Sequence, residues 1–396
     1  MGSIPIARSI FKSLLAVDAL DKLRLLSEDS QYDLACSCGT NEKDRRKRGL
    51  DGKWLYPVPL AAGGYGIMFK TLMSNACSSD CRYCPLRQAG NTRRCTLSPD
   101  ETAALFMNHL QKQWLLGMFL SSGILDSADR TMEKLVAAAE ILRGTHKYRG
   151  YIHLKVIPGA SEAAIDAAMR VASAVSLNIE VPGRKHVEKL SSYKDFDADI
   201  VRPLKYIAAQ TARGSRHAKI RTTTQFIVGA SDETDSEIIA YLDGIYNRLK
   251  FRRAYFSAYQ RGLGDGRIPG ERFMLESETA QRQEASERLT REHRLYQADF
   301  LLRKYHFNPQ ELVFDGTGNF DMNEDPKLIW AKRHPEQFPV SLATADKETL
   351  LRIPGLGPTY VDRILQQRRS ARITSFACVG LKGKNAEKAS RYCVFS

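Results

Sequence analysis

From Gly66 to Tyr305 the chain alternates between two periodicities. Short apolar runs with strand character fall at Ile67–Met73, Gly117–Leu120, Tyr151–Ile157, Val175–Val181, Thr223–Val228 and Ala254–Ser257. Between them, apolar residues recur at helical spacing over Met132–Leu142, Glu162–Val171 and Ile238–Leu249, and a long charged helix is predicted at Thr279–Tyr305. Ser98-Pro99-Asp100-Glu101 opens a further helix: the serine caps it, proline suits its first turn, and the glutamate sits three residues after the cap. Ala103, Leu105, Phe106, Leu110 and Trp114 give that helix its apolar stripe. The stretch between Val181 and Thr223 reads as irregular and basic. Repeated strand–helix alternation argues for parallel strands joined by crossover helices. About six such units suit either a partial barrel or a flat doubly wound sheet. Near the C-terminus, Asp346–Ile353 and Thr359–Arg369 are predicted helices separated by Pro354-Gly355-Leu356-Gly357-Pro358.

Composition narrows the class. With 396 residues and 43% hydrophobic content, the chain can hold one large domain and a smaller one. The expected division is an N-terminal extension over 1–65, a barrel over 66–315 and a C-terminal domain over 316–396. No apolar run approaches the roughly 20 residues that span a bilayer, and the N-terminus lacks the pattern of a secretory signal. Eight cysteines suit a reducing cytoplasm better than a disulfide framework, so a cytoplasmic protein without membrane contact is expected. A net charge of +14 favours a polyanionic partner, nucleic acid first. Asn41–Lys53 is too polar to bury and reads as an exposed basic loop, solvated or in contact with phosphate. Cys36 and Cys38 are too close in sequence to chelate one metal by themselves.

The candidate chemistry lies in Cys77-Ser-Ser-Asp-Cys81-Arg-Tyr-Cys84, directly after the first predicted strand. Three thiolates in one tight loop can bind three corners of an iron–sulfur cube and leave the fourth iron open. A structural zinc site is the alternative, and it would need Cys95 or a distant fourth ligand. The Cys-x3-Cys-x2-Cys spacing with aromatic Tyr83 before the last cysteine resembles the signature of radical S-adenosylmethionine enzymes. That resemblance implies a 4Fe–4S cluster on Cys77, Cys81 and Cys84, with S-adenosylmethionine on the open iron. It also implies a partial (β/α)6 TIM-like barrel, an α/β fold, with the site at the C-terminal strand ends.

On this resemblance the strand ends can be assigned. Ser121-Ser122-Gly123 matches, in position though not in letters, the motif that receives the methionine amine; an ordinary small-residue turn is the alternative. Ser176, Asn178 and Glu180 would share the lumen by alternation, and the resemblance places Asn178 and Glu180 near the ribose. Val228 ends the strand that resembles the adenine-contacting one. Lys155, beside His153, could meet a carboxylate such as Glu180. Ser257, Tyr259 and Gln260 are candidates for the substrate side. No catalytic residue beyond these is assigned.

The Ile353–Pro358 turn with its two flanking helices resembles a helix–hairpin–helix, implying a small all-α C-terminal domain that grips a phosphate backbone. Arg352, Gly355, Gly357, Thr359 and Arg363 are the expected nucleic-acid contacts, with Arg368, Arg369 and Arg372 adding charge; a packing hairpin without ligand is the alternative. Cys378 and Cys393 are read as structural. Together with Tyr32–Cys36, Arg294–Arg303 and Asp325–Pro335, these features resemble a DNA modification or repair subfamily of radical S-adenosylmethionine proteins. The resemblance implies action on DNA, a uracil-DNA-glycosylase-like partner and an electron donor for the cluster. An RNA-modifying enzyme, for instance on a transfer RNA base, and a non-catalytic iron–sulfur DNA-binding scaffold are the competing readings.

Overall fold

The computed structural model describes residues 18–30, 47–49, 52–60, 63–272 and 278–395. Cys36, Cys38, the Tyr32–Cys36 stretch and most of the basic loop lie outside the described residues. The chain divides into two compact units, one of residues 1–233 with 244–285, the other of 234–243 with 286–396.

The first unit starts with a helix over 18–29, α1. It is followed by an eight-stranded sheet in strict chain order: β1 (Lys47–Gly49), β2 (Gly52–Pro59), β3 (Tyr65–Leu72), β4 (Gly117–Ser121), β5 (Tyr151–Lys155), β6 (Ala174–Ser176), β7 (Arg221–Val228) and β8 (Arg253–Ala258). β3 to β8 are parallel, as the alternation predicts, and each pairs with its successor in sequence. The loop after the first parallel strand meets the loop after the last: Asp265 N–H donates to the Arg82 carbonyl at 2.7 Å, and Arg87 Nη1 to the Leu263 carbonyl at 2.9 Å. The sheet is therefore curled into a partial barrel built on six parallel strands. Helices α2 (Pro99–Lys112), α3 (Ala128–Gly144) and α4 (Glu162–Val171) follow β3, β4 and β5. All three begin at serine caps, and Ser98 forms the full capping box read from its sequence.

Three expectations need correction. Part of the N-terminal extension belongs to the sheet, because β2 pairs antiparallel with β3 and buries Trp54 and Leu55. Lys47–Gly49 pairs with β2, so the described part of the basic segment is a hairpin and not a loop. The basic stretch after β6 is helical: α5 (Arg184–Leu190), a π turn (Phe196–Val201) and α6 (Arg202–Thr211) bury Val187, Leu190, Phe196, Ile200, Leu204 and Ile207. Among the described residues, no helix is long and apolar enough to cross a membrane.

The second unit contains α7 (Asp235–Asp243), most of α8 (Glu278–Lys304), α9 (Pro326–Arg333), α10 (Lys347–Arg352), α11 (Pro358–Gln367) and α12 (Gly383–Ser390). It starts well before residue 316. Buried Asp235 on α7 accepts from Arg291 Nε at 2.7 Å and from the Phe320 amide at 2.9 Å, which fixes α7 to α8 and to the chain beyond it. The unit is also not all-α: β9 (Val340–Ser341) and β10 (Cys393–Val394) pair in parallel, with Val340 and Cys393 in its core.

Candidate functional site

The cysteine loop is anchored by side chains from several parts of the first unit. The Arg94 guanidinium reaches four of its carbonyls, those of Asn75, Leu86, Arg87 and Gly90, at 2.5 to 3.1 Å. Asn75, fully buried at the end of β3, donates to Asp29 and to the Arg93 carbonyl and accepts from the Cys95 amide. Asp80 binds the next layer. It accepts from the Ser191 hydroxyl and from the Ser192 amide at 2.8 Å, so the loop after α5 is held against the cysteines. Cys95, in turn, donates towards the Lys22 carbonyl at 3.8 Å.

The three thiols fit a cluster's donor set. Cys81 is buried, Cys77 and Cys84 are half-buried, and Cys84 is pushed up to about 12 by burial and then by the nearby charges of Cys81 and Cys77. Thiols in such mutual reach become stable thiolates only against a strong positive charge, which a metal centre supplies. Cys77 Sγ accepts from the Ile124 amide at 3.4 Å, and the Ser79 hydroxyl lies 3.0 Å from Cys81 Sγ. Bonds of this kind tune an iron–sulfur centre. Among the described residues, no group of three or more His, Cys, Asp or Glu side chains is arranged to hold a metal ion.

Ser121, Ser122 and Gly123 are brought against this loop. The Gly123 amide donates to the Ser74 carbonyl at 2.7 Å, and a Cβ on Gly123 would run into the Ala76 carbonyl and come within 3.1 Å of Cys77 Cβ. Glycine is required here by that contact. Ser121 accepts from the Met73 amide through its carbonyl, while the Ser122 hydroxyl turns onto the Gly123 carbonyl.

The strand expected over Val175–Val181 stops at Ser176. Beyond it the backbone turns, and Glu180 adopts a left-handed φ of 64° before bridging to Phe226. Ser176, Asn178 and Glu180 remain buried: the Ser176 hydroxyl is 2.9 Å from His153 Nε2, and Asn178 Nδ2 donates to Glu180 Oε2 at 3.3 Å. Val228 is buried at the end of β7 and accepts from the Tyr259 amide. Tyr259 is also a packing residue, its hydroxyl donating to Glu271 Oε1 at 2.5 Å.

Sequence reasoning missed Lys194. The loop that Asp80 holds delivers its side chain, only 10% exposed, to a point 3.3 Å from the Tyr83 hydroxyl and 3.8 Å from Glu180 Oε1. Burial alone would lower the Lys194 pKa, but Cys81, Glu180 and Cys84 raise it above the ordinary lysine value. Burial, followed by Glu180 and the two thiols, pushes the Tyr83 phenol well up. Lysine cation, glutamate, phenol and cysteines thus form one buried polar cluster at the barrel mouth. Nothing in the local sequence marks Lys194, which lies 110 residues after Cys84.

The second unit places its predicted contacts differently. Arg352 is drawn inward: it pairs with Glu311 at 2.6 Å and lies over the rings of Phe307 and Trp330 at 4.5 and 4.9 Å. Gly355, at φ 85°, has no room for a Cβ because the Asn385 carbonyl of α12 occupies that space. Arg363 donates to the Val379 carbonyl at 3.3 Å. Thr359 is exposed, and Gly357 caps α11 with extended backbone. Lys327, buried and with its pKa well lowered by burial, donates to the Leu356 carbonyl at 2.6 Å and secures the turn from beneath.

These contacts reveal a repeat that was not read from the sequence. The hairpin α10–turn–α11 recurs 25 residues on as the short 3-10 helix Phe376–Val379, a turn and α12. Leu351, Gly355, Leu356, Val361 and Ile364 correspond to Phe376, Gly380, Leu381, Ala386 and Ala389. Gly380 is also left-handed, at φ 73°, and its missing Cβ would lie 3.3 Å from Arg363 Nη1 on α11. Each hairpin's glycine therefore faces the other hairpin's second helix, and one hydrophobic core serves both. Lys382 and Lys384 are exposed on the second turn.

No family model matches the chain, and no curated protein matches it. Among solved structures, it is similar to methylornithine synthase PylB, at 14% identity and a TM-score of 0.42 over 55% of this chain and 60% of that one. It is similar to the FeFe-hydrogenase maturase HydG at 14% identity and 0.42, over 57% of this chain and 48% of that one. The Carboxydothermus hydrogenoformans HydG gives 14% and 0.43, over 57% and 50%. The chain spans about half to three-fifths of the structures it matches.

Proposed function

We propose that the chain is a radical S-adenosylmethionine enzyme that acts on nucleic acid, with DNA as the favoured substrate. The observation that carries the enzyme reading is the anchored loop of Cys77, Cys81 and Cys84 at the C-terminal mouth of a parallel partial barrel, closed on one side by Gly123. Cys77, Cys81 and Cys84 would hold a 4Fe–4S cluster that, together with S-adenosylmethionine, would supply radical hydrogen abstraction from the substrate. The chain's own residues hold, orient and shield. Arg94 and Asp80 fix the loop, and Lys194 sets a positive charge beside the thiolates. Ser121 to Gly123, Asn178, Glu180 and Val228 offer carbonyl, amide, carboxylate and apolar surfaces for the nucleoside and methionine parts. Anaerobic reconstitution with iron and sulfide, followed by assay for 5′-deoxyadenosine under reducing conditions, tests this reading. An intact cluster that never cleaves S-adenosylmethionine, and whose electron paramagnetic resonance spectrum ignores it, would sink it.

The nucleic-acid part is supported by the +14 charge and by two left-handed turns bearing exposed Thr359, Lys382 and Lys384. With Arg352 turned inward, backbone amides and these side chains would meet phosphate, a contact that positions the protein without reading sequence. Matched DNA and RNA in competition at physiological salt separate the favoured reading from an RNA-modifying one. A uracil-DNA-glycosylase-like protein is the proposed partner, and a one-electron donor is required. A scaffold without catalysis would bind DNA and iron and form no 5′-deoxyadenosine.

A further inference from the structure

The parallel strands present two faces. One carries Met118, Leu120, Ile152, Leu154, Val175 and Phe256, all fully buried. On the other, the register sets Lys70 beside Phe119, Phe119 beside His153, Lys155 beside Ser176 and Gln225 beside Tyr255. Contacts tie this second face together. Lys70 Nζ stands 5.3 Å from the centre of the Phe119 ring and 5.5 Å from that of Tyr56; Phe119 meets His153 edge-on at 4.5 Å. The phenols of Tyr151 on β5 and Tyr255 on β8 lie near enough to interact electrostatically. In a flat sheet those strands would stand about 14 Å apart, so this is the concave face. It begins two residues, about 7 Å, below the strand ends that carry the proposed cofactor site.

The chemistry of this face is one-sided. Its strand positions include four cations, Lys70, Lys155, Arg221 and Arg253, and no carboxylate. Phe119 and Tyr255 add two half-buried rings. Gln225 is only 7% exposed as a residue; among the described residues its side-chain amide makes no hydrogen bond, and its amide atoms are not among the sealed, unbonded ones. An amide that reaches open space from an otherwise buried side chain, with no protein partner, offers a ligand both a donor and an acceptor edge.

We propose that the concave face binds a single nucleotide turned out of its stack. Its phosphate would lie against Lys70 and Lys155, its base on Phe119 or Tyr255, and its base edge on the Gln225 amide. Rings of this type bind any base face, a glutamine amide can discriminate between base edges, and a base inside a duplex must be extruded to be reached. The proposal rests on the nucleic-acid reading above and specifies its substrate class.

The test is a titration of the cluster-loaded full chain with the four deoxynucleoside 5′-monophosphates, the matching nucleosides and inorganic phosphate, into the millimolar range. The expected result is that at least one nucleotide binds about tenfold or more tighter than its nucleoside, as a charge-assisted hydrogen bond would give. Lys155→Met should abolish that margin, and Gln225→Leu, checked to melt like the parent, should level the preference among bases. The proposal is overturned if inorganic phosphate binds as well as every nucleotide, or if both variants bind like the parent. S-adenosylmethionine cleavage measured on the same samples keeps the two readings apart. Normal cleavage with failed nucleotide binding sinks only this proposal; nucleotide binding without cleavage sinks only the radical-enzyme reading.

Discussion

The cysteine loop and the paired hairpins both display short motifs, yet the motifs relate to their surroundings in opposite ways. In the loop the signature residues are the proposed working groups, and distant parts of the chain (Arg94, Asp80, Gly123, Lys194) converge on the loop that carries them. In the hairpins the signature residues are largely consumed by packing: Gly355 by α12, Arg352 by Glu311 and Arg363 by the Val379 carbonyl. A motif of ligands remains a motif of ligands after folding. A motif of turns specifies a shape, and what the shape presents to solvent is decided elsewhere.

The largest expected effect separates the two regions outright. Cys81→Ala should abolish cluster iron and 5′-deoxyadenosine formation, since a cube cannot be held at two corners. The DNA retention proposed for the hairpins should be unchanged, as iron content and a filter-binding assay on one preparation would reveal. Loss of both together would join what the comparison separates. Next comes the shared hairpin core. Ile364→Ala and Leu381→Ala each remove a buried aliphatic side chain and should each cost about 2–5 kcal/mol in urea unfolding. A loss confined to one of them would mean that the hairpins fold apart.

Lys194→Met removes a positive charge beside the thiolates. A reduced cluster carries one more negative charge, so its midpoint should move to more negative potential by on the order of 50 mV, where about 59 mV is tenfold for one electron. An unshifted potential in a variant with full iron content would reduce Lys194 to packing. The smallest effect concerns thiols. Cys378 is exposed and drawn down to about 7 by hydrogen bonds from the Thr374 backbone and from Ser375, whereas Cys84 is pushed up to about 12. A thiol reacts as its thiolate. In cluster-free protein, iodoacetamide labelling of Cys378 should therefore rise between about pH 6 and 8 while Cys84 stays protonated, with peptide mapping as the readout.

What the sequence disclosed follows the range of the forces involved. The Ser98 capping box and the helix it starts are settled within four residues, and both were legible. The cysteine spacing was legible because its three thiols lie on one turn. β2 was obscured because a strand at the sheet's antiparallel end, carrying two prolines, has little of the apolar run that marks its parallel neighbours. The helices after β6 were obscured because Arg184, Lys185, Lys189 and Lys194 mask a buried stripe. The second hairpin escaped because its first helix is a single 3-10 turn and its N-cap is Lys382 where the first copy has glycine. Lys194 could not have been found: its role exists only once Asp80 has fastened its loop to a segment more than a hundred residues earlier.

The mutual roofing of Gly355 and Gly380 also limits how the C-terminal module can be divided. A cut in the link between the copies would bare Leu356 on one fragment and Leu381 on the other, both now nearly sealed from water. Neither fragment would keep its bend as a lone peptide; it would clump or seek a sibling molecule to stand in for the missing twin.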